Sequence, residues 1–393
     1  MIVVAGKNNI AVHALEVLSK KLGRANVLAI PNQDDTGDDS WQRSLRKAAN
    51  ELGVEVKSLS DIKDATNIEC LLSLECDKLL DPNRFPVDKI FNIHFSNLPK
   101  YKGMYTSFWP IYNGEKKSGV TLHRIDRGID TGPVIAKKIF TISSKDRSFD
   151  IYFKYIKFGI RLFDEQIDDL LAGNFSTKSQ SAVNSTYYKK DSVDFSNARI
   201  NLNVTAWQLK RQVYAYTFRP YQLPVINGRH VVDVKITSKR SLVKPGQVIA
   251  DGDSSVVIST IDYNAIIFFD NLDVFLSNIW NMNRDEFLKG LNHIAGVNDR
   301  NQIGWSPIIV AAYTGRFEFV RHLISLGANV NDINFNGTSV LMYAKDYFLR
   351  SNNIEIFDFL LAHGADINKM DYSGNKLIDY LSPDELQLFR GYL

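Results

Sequence analysis

Asn92, His94 and Asp130 are the residues of this chain whose types and spacing suit chemistry. Residues 92–99 read Asn-Ile-His-Phe-Ser-Asn-Leu-Pro, and Gly-Ile-Asp-Thr-Gly follows at 128–132. An amide donor therefore stands two residues from a titratable imidazole, and a carboxylate follows inside a glycine-bounded loop. Acyl transfer to an amine requires these three groups: the attacking amine must lose protons, and an oxyanion must be stabilised. A neutral imidazole, with an ordinary pKa of about 6.5, acts as a base near neutral pH, and such a base contributes roughly 10²–10⁴ in rate. An amide N–H aimed at the oxyanion is worth about 3–4 kcal/mol in comparable sites. A carboxylate on the other imidazole nitrogen would fix the tautomer and favour the charged form. Each residue alone also has a plainer reading: a strand end, a packed histidine, a turn cap.

The elements that must hold these groups follow from periodicity. Ile2 to Ala5 form an apolar run fit for a buried parallel strand, broken by Gly6-Lys7-Asn8-Asn9. A helix over 11–22 places Val12, Leu15, Leu18 and Leu22 on one face. Strands at 27–30, 70–74 and 89–94, with a helix at about 40–52, continue an alternation of β and α. That pattern predicts an α/β fold with a mostly parallel sheet and helices on both faces. Ligands on such sheets bind beyond the carboxyl ends of the strands, where the Asn92–His94 segment lies. Two further strands, 119–126 and 132–142, flank the Asp130 loop, and a long amphipathic helix spans 148–172 before Gly173.

Residues 174–200 are polar and rich in Ser and Asn, and read as a boundary. After a helix at 205–215, short runs at 231–236, 246–250, 256–260 and 265–269 predict a small β-rich domain. The tail repeats itself: Val297-Asn298-Asp299, Val330-Asn331-Asp332 and Ile367-Asn368-Lys369 recur with Gly304, Gly337 and Gly374 in step. This period, with its Gly-Trp-Ser-Pro-Ile turn and Gly-Ala-Asn or Gly-Ala-Asp helix endings, resembles the ankyrin repeat. The second copy carries an insertion around 346–352, and the third is short and ends on a capping helix at 383–391. So few repeats need stacked neighbours, which predicts a cap from the helix at 284–295 and packing of the tail on the preceding domain.

Composition narrows the function classes. The 393 residues carry 47 basic and 44 acidic side chains, a balance of +3 that advertises no nucleic-acid surface. No apolar run is long enough to span a membrane, and the N-terminus does not read as a signal peptide. Two cysteines, Cys70 and Cys76, point to reduced thiols in a cytoplasmic setting. No metal-ligand spacing occurs. Gly6-Lys7 is not a nucleotide loop, because the further glycines and the Ser/Thr of such loops are missing.

The strings Asn-Ile-His-Phe-Ser-Asn-Leu-Pro-Lys-Tyr-Lys-Gly at 92–103, Trp-Pro-Ile-Tyr-Asn-Gly at 109–114 and Asp-Arg-Gly-Ile-Asp-Thr-Gly at 126–132 together resemble the folate-dependent formyltransferases. That family includes methionyl-tRNA, glycinamide ribonucleotide and nucleotide-sugar enzymes, and the resemblance covers roughly residues 1–175. It implies a Rossmann-like catalytic domain over 1–180, which the strand pattern and the repeats extend with a small β-rich domain over 181–278 and ankyrin repeats with helical caps over 279–393. It also implies N10-formyltetrahydrofolate as formyl donor, His94 as general base, Asn92 as oxyanion donor and Asp130 as supporting carboxylate. The pterin would lie along Ser73, Leu74, Glu75 and Asp77 and beside Ile129.

Residues 97–107 and the aromatic segment 214–221 resemble the dTDP-amino-sugar N-formyltransferases more than the tRNA enzymes. Lys102 departs from the arginine of many relatives and loses its bidentate fork. The resemblance implies a dTDP-linked amino-dideoxy sugar as acceptor, with a 3-amino-3,6-dideoxyhexose favoured by Met104 and Tyr105, in the synthesis of surface polysaccharide (O-antigen) sugars. Lys7, Asn9, Lys100, Met104, Tyr105, Phe218 and Tyr221 would contact it, and a homodimer is implied. The alternatives are a methionyl-tRNA formyltransferase and an ankyrin interaction protein with a vestigial enzyme domain. In the tail, Trp305 at a repeat turn, with Arg300, Tyr313 and Arg316, forms a candidate second ligand site. Its ligand would be a second nucleotide sugar, while an ankyrin module ordinarily takes a protein partner.

Overall fold

The structure, a computed structural model, describes all residues except Pro86, Asn197, Ala295 and Leu393. Two compact units form, Met1–Ala198 with Tyr214–Phe218, and Arg199–Val213 with Arg219–Leu393.

The first unit is built on strands β1 (Ile2–Gly6), β2 (Val27–Pro31), β3 (Glu55–Val56), β4 (Cys70–Leu74), β5 (Ile90–His94), β6 (Lys102–Gly103), β7 (Lys117–Arg124), β8 (Val134–Thr141) and β9 (Tyr187–Tyr188). Its helices are α1 (Asn8–Leu22), α2 (Leu45–Leu52), α3 (Trp109–Tyr112) and α4 (Ser148–Ala172). Seven strands make one sheet in the order β3-β2-β1-β4-β5-β7-β8. The pairs from β3 to β5 are parallel, and β7 and β8 join antiparallel. The mostly parallel sheet is thus the one expected. The chain leaves β1 toward β2 but leaves β4 toward β5, so the order reverses between β1 and β4 and opens a crevice at their carboxyl ends.

β1 and β4 are buried along their whole length, which is why their sequences are near-continuous apolar runs. The helix α2 begins at Leu45, the first residue of its apolar face, and so later than the expected start near residue 40. Ser44 caps it by accepting from the Lys47 N–H at 2.9 Å, and Gly53 closes it in the left-handed region. The helix α4 lays Ile151, Tyr155, Leu162, Phe163 and Ile167 inward and stops at left-handed Gly173. The two-residue β3 was not anticipated from the sequence.

The second unit holds α5 (Ala206–Tyr216) up to residue 213, then β10 (Val225–Ile226), β11 (Arg229–Arg240), β12 (Val248–Asp251), β13 (Ser255–Ile258) and β14 (Tyr263–Phe269). These strands form an antiparallel sheet in the order β10-β11-β14-β13-β12. Helices α6 (Leu272–Asn278), α7 (Arg284–Gly290), α8 (Pro307–Thr314), α9 (Phe317–Ser325), α10 (Val340–Ser351), α11 (Glu355–Ala362) and α12 (Pro383–Leu388) follow. The helix expected over 284–295 ends at Gly290 and continues as a 3₁₀ turn to His293; its last residue, Ala295, lies outside the described residues.

Side chains explain the repeating strings of the tail. Asn298 accepts from the Asn329 N–H at 2.8 Å and donates to the Gly327 carbonyl at 3.1 Å. Asn331 does the same to Asp366 N–H and Gly364, at 2.7 and 2.8 Å. Each Val-Asn-Asp string therefore bonds to the Gly-Ala-Asn or Gly-Ala-Asp ending one period later. The glycines obey the same logic: a Cβ on Gly304 would lie 2.5 Å from the Phe335 backbone nitrogen, and one on Gly337 would lie 2.6 Å from that of Tyr372.

One apolar core runs from α6, through Leu272, Phe275, Leu276 and Ile279, into the repeats. Arg219 adds a polar tie. Its guanidinium binds Asp270 through two bonds of 2.9 and 2.6 Å and reaches Asp299 of the first repeat at 2.7 Å. Phe287 of α7 is 1% exposed and stacks on Phe319 of α9 with centroids 3.9 Å apart. Phe287→Ala should cost about 3–5 kcal/mol. Denaturant unfolding checks this, and a loss under about 1 kcal/mol would show that α7 is not part of the folded stack.

Candidate active site

The carboxyl end of β5 brings the three groups together. Asn92 and His94 lie on β5, and the turn between β7 and β8 carries Asp130. The Asn92 side-chain nitrogen is 3.3 Å from Asp130 Oδ1, and His94 Nδ1 is 3.5 Å from the same oxygen. The imidazole and carboxylate side chains are only 10% and 12% exposed.

The hydrogen bonds fix the imidazole tautomer. His94 Nε2 lies 2.8 Å from the Tyr101 carbonyl, which can only accept, so Nε2 carries the proton. Nδ1 is then the basic nitrogen, and it faces Asp130 directly. This corrects the expectation that the carboxylate fixes the tautomer from the other imidazole nitrogen: the Tyr101 backbone carbonyl fixes it, and Asp130 stands beside the nitrogen left free to accept a proton. An imidazolium formed there gains a charge partner at once.

His123 is a site residue that the sequence did not single out. Its Nδ1 donates to the Arg124 carbonyl at 2.7 Å, so Nε2 accepts from the Asn92 amide at 3.2 Å. Asn92 and His123 are cross-strand partners in the β5–β7 ladder. The Asn92 amide is thereby oriented, with one hydrogen on His123 and the other on a long contact to Asp130, from which a developing oxyanion can take it. Only the register of two antiparallel strands reveals this pairing.

Asp130 collects the rest. Its Oδ2 accepts from the Gly103 N–H at 2.8 Å, and His123 Nε2 stands 3.7 Å from Oδ1. Burial pushes the carboxyl up, but His94 and His123 in their protonated forms and the Gly103 N–H outweigh it and hold the group well below the usual carboxylate range. Gly103 has φ +84°, and a Cβ there would fall 2.2 Å from the Tyr188 carbonyl. No other residue type fits this N–H against the carboxylate.

At the crevice between β1 and β4, Ser73 pairs in register with Asn92, and Leu74 is buried. Glu75 follows in the left-handed region at φ +62°. Asn32 braces this loop by donating to the Glu75 carbonyl at 2.9 Å and accepting from the Asp77 N–H at 3.1 Å. Asp77 in turn accepts from the Gln33 N–H at 3.1 Å. The Glu75 carboxylate accepts from the Tyr152 hydroxyl at 3.1 Å. Burial pushes this carboxyl up, opposed by Lys7 and by the Tyr152 bond. Lys7 reaches Asp34 at 3.4 Å, and the Asn9 side chain accepts from the Arg43 N–H at 3.2 Å. Ile129 is half-buried in the Asp130 loop.

The remaining expected contacts are more scattered. Lys100 pairs with Glu115 at 2.7 Å, Met104 is 44% exposed and Tyr105 packs edge-on to Phe195. Phe218 is not an open stacking face: it is buried edge-on to Trp41, Phe149 and Tyr152. Tyr221 is exposed and belongs to the second unit.

In the tail, Trp305 is half-buried and meets Tyr313 and Tyr343 at centroid distances of 6.1 and 6.3 Å. The expected cations are committed inward. Arg300 pairs with buried Asp332 and donates to the Ile333 carbonyl, and Arg316 donates to the carbonyls of Trp280 and Met282. Arg350, rather than either, lies over the Tyr313 ring at 4.1 Å.

Comparison with known proteins follows the same lines. The formyl transferase family model matches residues 7–167, and a model of three ankyrin repeats matches 279–371, taking in α7 to α11. A solved sugar 3N-formyltransferase, determined in the presence of dTDP and 5-N-formyl-THF, is 37% identical with a TM-score of 0.64, over 69% of this chain and 97% of that one. The chain belongs to the formyltransferase family. An N-formyltransferase from Helicobacter canadensis, in complex with folinic acid and dTDP-3-aminofucose, is likewise 37% identical, with a TM-score of 0.63 over 68% of this chain and 98% of its own. Among curated relatives, the methionyl-tRNA formyltransferase of Coxiella burnetii is 25% identical over 269 residues, 64% of this chain and 84% of its own length. That of Thermodesulfovibrio yellowstonii is 28% identical over 270 residues, 62% and 86% of the two chains. Among the described residues no group of His, Cys, Asp and Glu could hold a metal ion, and no helix is long and apolar enough to cross a membrane.

This formyltransferase should show its buried carboxylate in its pH behaviour. A carboxyl held below its unfolded value contributes stability above about pH 4, and that contribution is lost as pH falls through the folded value. Asp130→Asn should therefore differ from wild type by a constant unfolding free energy above about pH 5, and the difference should shrink below about pH 4. Denaturant unfolding across that range checks it; a gap that widens toward acid would contradict the assignment.

Proposed function

We propose that this formyltransferase moves a formyl group from N10-formyltetrahydrofolate to the amine of a dTDP-linked amino-dideoxy sugar. The observation that carries the acceptor is the likeness to two solved enzymes at 37% identity across nearly their full length, one determined with dTDP and the other with dTDP-3-aminofucose. The methionyl-tRNA enzymes match at lower identity, 25% and 28%. The net charge of +3 also gives little for a polyanion to hold.

In this reading the sugar amine attacks the formyl carbon and yields a proton to His94 Nδ1. Asp130 stabilises the imidazolium, and an Asn92 N–H stabilises the tetrahedral oxyanion. Collapse breaks the bond to the folate nitrogen, which takes up a proton, and leaves a formamido sugar. The Asn32-braced loop at residues 73–77 suits the polar edge of the donor, because its backbone groups are fixed before anything binds. A 3-amino-3,6-dideoxyhexose is the preferred acceptor class, a homodimer in the cytoplasm the preferred state and surface polysaccharide synthesis the setting.

The second reading, a methionyl-tRNA formyltransferase, is favoured by the curated relatives alone. Purified protein with N10-formyltetrahydrofolate should formylate dTDP-3-aminofucose and leave charged initiator methionyl-tRNA unmodified, as read by mass of the products. Formylated tRNA with unmodified sugar would overturn the acceptor assignment.

For the repeats, the half-buried aromatic group of Trp305, Tyr313 and Tyr343 supports a docking site for a planar ring or a protein side chain. Trp305→Ala should remove one dTDP-sugar binding event from a calorimetric titration. Unchanged stoichiometry would leave a protein partner as the reading.

A further inference from the structure

Asp130 has little local support. It is a non-glycine residue in the left-handed region, at φ +54°, yet its carboxylate must meet groups on β5, β6 and β7 at once. A backbone so placed must be held by its surroundings. The hold comes from the polar stretch after α4 that reads in sequence as a domain boundary. Gln180 Nε2 donates to the carbonyls of Asp130 and Gly132, each at 2.8 Å. Both partners can only accept, so the amide orientation is forced. The forced orientation leaves the buried Gln180 Oε1 without a donor among the described residues. The position is therefore built around the two bonds that Nε2 makes, not around satisfying the whole amide.

The stretch is anchored on both sides of Gln180. Lys178 and Val134 exchange backbone bonds of 2.8 Å at the start of β8. Beyond Gln180, the Thr186 hydroxyl accepts from the Tyr101 N–H at 2.7 Å, and the Thr186 and Tyr188 carbonyls accept from Lys102 and Met104 at 2.9 and 2.8 Å. Tyr101 supplies the carbonyl that fixes His94, and Gly103 supplies the N–H on Asp130. One segment thus ties down both walls around the carboxylate. It buries little apolar surface in doing so, and Val183 at its middle is 71% exposed.

We propose that Gln180 is a positioning residue for formyl transfer, acting through Asp130 by locking the loop that aims the carboxylate at His94 and Asn92. The proposal rests on the reading of Asn92, His94 and Asp130 as the catalytic groups. The test is Gln180→Glu, which keeps size but replaces the donor with an acceptor that repels both carbonyls; Gln180→Met, with neither donor nor charge, serves if the first variant fails to fold. Each is made alone and in an Asp130→Asn background. The assay uses N10-formyltetrahydrofolate and dTDP-3-aminofucose, or the charged tRNA if that is the acceptor turned over. A misplacement of about 1 Å can cost roughly 10²-fold in rate, so kcat should fall by about 10- to 100-fold while KM for the acceptor and the melting temperature change little. In the Asp130→Asn background the same substitution should change kcat by less than about twofold. Wild-type kcat for both Gln180 variants, a loss that follows the melting temperature, or full multiplication of the two losses would overturn the proposal. Asp130→Asn at wild-type rate would instead overturn the catalytic reading on which it rests.

Discussion

The site depends on one buried, ionised carboxylate. The Gly103 N–H, together with His94 and His123 when these carry a second proton, favours the charged form of Asp130 against the cost of burying it. That single requirement constrains the fold around it. β5 must end where Asn92 and His94 emerge, β7 must pair so that His123 falls opposite Asn92, and the 101–104 segment must come close enough to present a bare N–H. The parallel half of the sheet contributes the strand ends, and the antiparallel half contributes the loop that carries the charge. Neither half alone has the groups to hold it.

The candidate trio of Asn92, His94 and Asp130, which the structure brings together, could be picked from the sequence because its chemistry resides in side-chain types. The amide, the imidazole and the carboxylate could be named before any fold was known. The β and α alternation was legible because doubly covered strands such as β1 and β4 must be continuously apolar, and the tail because its Asn and Gly positions recur. What escaped notice was whatever depends on a partner distant in sequence. The tautomer of His94 is fixed by a backbone carbonyl, which has no sequence signature. His123 acts only through cross-strand register. Gln180 lies in a stretch whose composition is that of a linker, since hydrogen bonding to backbone leaves no apolar pattern behind. Polar composition argues against burial in a core; it does not argue against structure.

The tail shows the opposite error. Arg300 and Arg316 looked like surface cations beside an aromatic residue, yet both guanidinium groups turn inward to carbonyls and a buried carboxylate. A planar fork with several donors suits helix-end and turn carbonyls as well as it suits a ligand. The aromatic rings that remain, Trp305, Tyr313 and Tyr343, form a group edge-on or tilted to one another rather than a single exposed blade.

The Arg219 tie changes how the repeats should be regarded. Asp270 stands just past the antiparallel sheet and Asp299 in the first repeat, and one guanidinium serves both. The same region shares its apolar core with α6. Excising residues from 279 onward would therefore not trim an accessory. It would strip a buried arginine of half its countercharge and expose the oily side of Phe275 to water, because the β-rich part and the repeats are packed as one body.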